Sequence, residues 1–134
     1  MTLHSPAPWD GAVTFYPSST AGTTATSGAA DTYGSAAELV AAGAVAAERR
    51  LAALTVGTPS EAMRYRIQLR YVSGGASSQL TERVGEFASD VGGLDVFEMH
   101  EEGGTIPSSA QITAKVMTSA SSASVAVAVG LQAR

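Results

Sequence analysis

Gly103 to Leu131 reads Gly-Gly-Thr-Ile-Pro-Ser-Ser-Ala-Gln-Ile-Thr-Ala-Lys-Val, then Met-Thr-Ser-Ala-Ser-Ser-Ala, then Ser-Val-Ala-Val-Ala-Val-Gly-Leu. Ile112, Ala114 and Val116 alternate with Thr113 and Lys115, the two-residue period of a half-buried strand. Val125, Val127, Val129 and Leu131 alternate with alanines and a glycine, which predicts a second strand. The small polar run Thr118 to Ser124 between them has the composition of a hairpin connection. Nothing in this stretch has the look of catalytic chemistry.

Working outward, Tyr65, Ile67, Leu69 and Tyr71 share one face of a further strand, with Arg64, Arg66, Gln68 and Arg70 on the other. Gly74-Gly75 breaks that strand. Leu80 to Phe87 fits a strand or a helical turn. Leu94 and Val96, with Glu98, begin another strand between Gly92-Gly93 and Gly103-Gly104. Paired glycines separating short runs suit tight turns with positive φ. Ser35 to Gly57 is rich in alanine and charged helix formers, so local propensity favours a helix. Against that, Gly43 interrupts it, its apolar residues form no single helical stripe, and Ala52, Leu54 and Val56 alternate. The pattern predicts strands near Ala37 to Ala41 and Glu48 to Val56, with a turn at Ala42 to Ala46 and another at Gly57 to Ser60.

The N-terminal part differs. Pro6, Pro8 and Trp9 mark an extended arm, and Val13 and Phe15 a short strand that Pro17 ends. Ser18 to Ala30 has no large apolar residue and reads as a loop or tether. The expectation is an arm and tether over residues 1–30 and a sandwich domain over residues 31–134. Seven or eight strands make this an all-β, antiparallel β-sandwich, jelly-roll-like, carrying an extended N-terminal arm.

At 134 residues the chain is long enough for one domain with a full core, and with no cysteine that core is held without disulfides or thiolate metal sites. No apolar run approaches the ~20 residues of a membrane-spanning helix, and no signal peptide is recognisable. A net charge of −4 with Lys115 as the only lysine argues against direct nucleic-acid binding through a basic patch. Glu98, His100 and Glu102 would share a strand face. An acidic run beside a Gly-Gly turn is more simply a solvated edge, so no metal and no cofactor is assigned. His4 has no partner in the pattern. There is no Gly-x-Ser-x-Gly elbow and no phosphate loop, so the expectation is a protein that is not an enzyme and has no catalytic residues.

Charge is patterned more clearly. Arg64, Arg66 and Arg70 form a cationic stripe, while Glu82 to Glu102 holds seven acidic residues and one arginine, Arg83. The two sets meet across a symmetric subunit contact, pair within one chain, or are simply solvated. Trp9, Phe15 and Tyr16 are the arm's candidate anchors, since aromatic side chains dominate interfaces. These six residues form the candidate interface set.

Ser35-Ala-Ala-Glu-Leu-Val-Ala-Ala, Ala53-Leu-Thr-Val-Gly, Tyr65-Arg-Ile-Gln-Leu, Gly104-Thr-Ile-Pro-Ser-Ser-Ala-Gln-Ile-Thr-Ala-Lys-Val and Ala123-Ser-Val-Ala-Val-Ala-Val-Gly-Leu together resemble the small β-sandwich proteins of tailed bacteriophage particles. The resemblance covers roughly residues 35 to 131. Its motifs are short and apolar and specify fold better than role. Gln111 and Lys115 stand where that class commonly has arginines. The resemblance implies a virion component made in the host cytoplasm, foremost a capsid decoration or cement protein on the shell surface. It would form a homo-oligomer, a trimer favoured, and contact the major capsid protein, with no membrane and no direct nucleic-acid partner. A tail or fibre-associated module is the nearest alternative. A carbohydrate-binding sandwich using Tyr33, Tyr65, Tyr71 or Trp9 is another.

Overall fold

The computed structural model describes residues 11–18, 21–87, 95–98 and 104–133. Their strands are β1 (Val13–Tyr16), β2 (Thr23–Thr26), β3 (Ala37–Val40), β4 (Arg49–Val56), β5 (Met63–Ser73), β6 (Ala76–Phe87), β7 (Asp95–Glu98), β8 (Thr105–Ile106), β9 (Gln111–Met117) and β10 (Ser124–Gln132). Every pairing among them is antiparallel. One sheet runs β3-β9-β5-β6. The other runs β1-β10-β4-β7, with β2 also on β10 and β8 also on β4. The fold is therefore an all-β antiparallel sandwich, and Ser35 to Gly57 is strand and turn rather than helix.

Alternation along the chain explains the core. Leu54 and Val56 on β4 and Val125, Val127 and Val129 on β10 turn inward, against Tyr65, Ile67 and Leu69 on β5 and Ile112, Ala114 and Val116 on β9. Each such Val, Leu or Ile side chain stabilises the fold by ~1.5–3 kcal/mol on burial. The Tyr65 ring is wholly buried and its hydroxyl donates to Glu61 O at 2.9 Å, so its polar end is satisfied. Helix propensity in Ala-rich Ser35 to Gly57 loses to this burial, which a helix could not align with both sheets.

Turn geometry follows the glycines where it must. Ser73 pairs with Ala76, leaving Gly74 and Gly75 at φ +60° and +81°, the backbone of a two-residue hairpin. Gly43, at φ +84°, turns the chain between β3 and β4.

Three expectations need correction. The run Thr118 to Ser124 is not a hairpin: β9 lies in one sheet and β10 in the other, so the chain crosses the sandwich there. The crossover is tied to a neighbouring loop. Ser27 N donates to Ala123 O at 2.7 Å, Ala123 N to Ser27 Oγ at 3.0 Å, and Asp31 N to Thr118 O at 2.7 Å. Two apolar-alternating strands bury more surface facing each other across the core than lying side by side. Second, Ser18 to Ala30 is not loop throughout, because Thr23–Thr26 pairs with Ser124–Val127. At this narrow seam Ala25, 1% exposed, fills the space that a larger residue occupies elsewhere. Third, ten strands are present among the described residues rather than seven or eight, because β2 and the two-residue β8 carry no readable period. Leu80 to Phe87 resolves as strand, within β6. Residues 1–10, including His4 and Trp9, and the residues Gly92, Gly93, Leu94, His100, Glu102 and Gly103 lie outside the described residues.

Candidate interaction surfaces

The outer face of the β3-β9-β5-β6 sheet is where the charge pattern becomes geometry. Register places Arg64 beside Glu86, Gln68 between Glu82 and Lys115, and Arg70 between Gln79 and Thr113. Arg64 Nη2 lies 3.2 Å from Glu86 Oε1, with both side chains largely exposed. Such a pair contributes about 0–1 kcal/mol. Arg70 Nε donates to Ser77 Oγ at 2.8 Å, and Gln111 Nε2 to Glu38 Oε2 at 2.6 Å. The cationic stripe thus finds partners within its own chain, at least at Arg64 and Arg70. Asp31, Arg64, Arg66, Val84 and Met117 border a shallow hollow of about 380 Å³ at one end of this face.

Tyr33 reaches onto the same face. It precedes β3 at one edge of the sheet, yet its hydroxyl donates to Glu82 on β6 at the opposite edge. Neither spacing nor periodicity relates residues 49 positions apart, so this contact had no signal in the sequence. Burial pushes the Tyr33 phenol well above its ordinary range. The hydrogen bond to Glu82 and that carboxylate's charge push it further, against an opposing effect of Arg66. Because the folded state raises this pKa, its contribution to stability is whole below the free phenol's pKa and is lost as pH rises above it. An alkaline spectrophotometric titration of the native protein is expected to contain one late phenol that Tyr33→Phe removes. A variant that keeps the whole late phase and loses amplitude in the ordinary phenol range instead would place Tyr33 away from Glu82.

The other sheet presents a different outer face. Paired residues Phe15 and Gly130, Ala53 and Gly130, and Thr55 and Ala128 put small or apolar groups there, and Ala53, Thr55, Ala128 and Gly130 are buried even on this side. Phe15 lies over Gly130: a Cβ at Gly130 would come 2.9 Å from the Phe15 ring. Covering a strand glycine with a cross-strand aromatic restores packing that glycine cannot supply. Tyr16 packs against the core. Phe15 and Tyr16 are therefore engaged with their own sheet, and Trp9 lies outside the described residues. Of the tyrosines considered as sugar platforms, Tyr65 is in the core and Tyr71 packs against it.

The strand edges complete the surface. On one side of the sandwich, β2 bounds one sheet and β3 the other, and residues 23–28 and 33–37 enclose a cleft of about 730 Å³ between them. Among the described residues that line it, none is charged. One wall, residues 23–28, is part of the small-residue stretch that sequence reading took for tether, which hid the cleft. On the other side β6 is a 12-residue edge strand carrying Glu82, Arg83 and Glu86, charges that discourage edge-to-edge pairing.

Among the described residues, no group of three or more His, Cys, Asp or Glu side chains is arranged to hold a metal ion. No described helix is long and apolar enough to cross a membrane. No family model, curated protein or solved structure matches the chain.

Proposed function

We propose that this chain is a non-enzymatic virion structural protein of a tailed bacteriophage, a decoration or cement protein that stabilises the capsid shell through symmetric subunit contacts. The observation that carries the reading is how the described polar side chains are used. Ser27, Thr118, Arg50, Gln132 and Gln111 bond across strands and loops of their own fold. What the described residues offer to their surroundings is the outer face of the β3-β9-β5-β6 sheet and open strand edges, the parts from which protein assemblies are built. The resemblance of residues 35 to 131 to phage β-sandwich proteins supplies the particle. Many modest contacts repeated by symmetry would supply the stabilisation. The partners are then further copies of the chain, as a trimer, and the major capsid protein, at the virion surface.

Cryo-EM of purified particles carrying a labelled version of the chain tests the proposal. Label density at regular positions on the shell is the expected result. Density confined to the tail or its fibres would reassign the chain to a tail module, and particles without label would overturn the virion reading. Glycan binding by purified protein, lost in Tyr33→Ala, would favour host attachment instead.

A further inference from the structure

We propose that the cleft between β2 and β3 is the docking site for residues 1–10 of a second copy of this chain, which add to the edge of β2 as an extended strand. This rests on the reading of the chain as one that assembles with itself, whatever particle it serves.

The receiving edge follows from hydrogen-bond alternation. Ser27 N bonds to Ala123 O, towards β10. Residues two apart on a strand share an edge, so Ala25 and Thr23 also face β10, while Thr24 turns its N–H and C=O to the cleft. β2 pairs only with β10 among the described residues. One end of the cleft is closed, where Gly34 meets the carbonyl of Thr26. An extended segment entering from the other end therefore finds, among the described residues, an unpaired strand edge and uncharged walls.

Residues 1–10 have the matching chemistry. Met-Thr-Leu-His-Ser-Pro-Ala-Pro-Trp-Asp has one carboxylate, at its end, and no lysine or arginine. Pro6 and Pro8 are two apart, so their missing N–H groups fall on one edge of an extended segment. Leu3, Ser5, Ala7 and Trp9 keep every donor on the opposite edge. The segment can pair on one side only. The proline edge then faces solvent and stops a further strand from adding.

Reach lets a chain put only the tip of its arm into its own cleft. Gly11 N bonds to Ala133 O, past the end of β10 that lies farthest from the cleft. β2 lies opposite Ser124 to Val127. At ~3.4 Å per residue the two points are about 20–30 Å apart along β10. Ten extended residues span at most ~36 Å, most of which that distance would use up. Only the tip would arrive, leaving Ser5 to Trp9 outside. A second copy has no such limit.

The test uses the full-length chain. Sedimentation across a concentration series is expected to show self-association without any particle component. Ser5→Pro with Ala7→Pro removes donors on the pairing edge and should raise the dissociation constant tenfold or more. Ala36→Trp, at an exposed cleft position, should do the same from the other side. Pro6→Ala with Pro8→Ala restores donors on the solvent edge only and should leave the constant within about twofold. Hydrogen exchange supplies a reading without mutation: protection of the Thr24 amide should rise with protein concentration. A chain that stays monomeric, association indifferent to the Ser5 and Ala7 prolines, or Thr24 protection independent of concentration would each overturn the proposal. None of these outcomes bears on where the protein sits on a particle.

Discussion

Gly34→Ala is expected to lower the melting temperature by about 10 °C or more, corresponding to a loss on the order of 3 kcal/mol. A Cβ at Gly34 would lie 1.8 Å from Thr26 O and 2.9 Å from the carbonyl carbons of Thr26 and Ser27. All three are backbone atoms, so no side chain can rotate away. Gly34 is also held from behind, its N–H donating to Val116 O at 3.0 Å. It sits where the loop before β3 is pressed between β9 of one sheet and β2 of the other, and relief would need the sheets to separate. Ser35→Ala, one residue on and exposed, is the control, expected to stay within about 0.5 kcal/mol. Equal melting temperatures for the two variants would show that this close approach does not persist in solution.

Leu54→Ala is expected to cost about 2–5 kcal/mol in chemical denaturation. Leu54 is 1% exposed at the centre of β4, paired with Val129 on one side and Phe97 on the other. A cavity there opens on a strand with a neighbour on each side and the other sheet across the core, so collapse around it is limited. Val84→Ala removes apolar surface from a residue 52% exposed on edge strand β6 and should change stability by no more than about 0.5 kcal/mol. A Leu54→Ala cost no larger than that of Val84→Ala would mean that β4 is not a core strand, and the sandwich would lose its central pairing.

The β5 strand shows what could be read directly. Its alternation of Tyr65, Ile67 and Leu69 with Arg64, Arg66 and Gln68 gives the buried face and the charged face without reference to any other strand. Two-residue periodicity is a local property, because the pleat alone sends neighbouring side chains to opposite faces. The same holds for β9, β10 and the later part of β4, and for the Gly74-Gly75 turn, where conformational freedom at positive φ is a property of the residue itself. Together these sufficed for an all-β sandwich against the helix propensity of Ser35 to Gly57.

Which strand lies beside which was decided by tertiary structure. β9 and β10 are consecutive and equally apolar, and nothing local distinguishes a hairpin from a crossing between sheets. The choice depends on burial summed over both sheets and on the Ser27, Asp31 and Thr118 bonds that hold the crossover. β2 has Thr and Ala where a strand signal needs large apolar residues, and it forms because β10 offers it an edge and the seam is narrow enough for Ala25. The Tyr33–Glu82 bond, the cover of Phe15 over Gly130 and the cleft between β2 and β3 share that origin. Each joins residues far apart in sequence, whose proximity exists only after the sheets have formed. The period of two lies in the chain, and the surfaces available for assembly arise from packing.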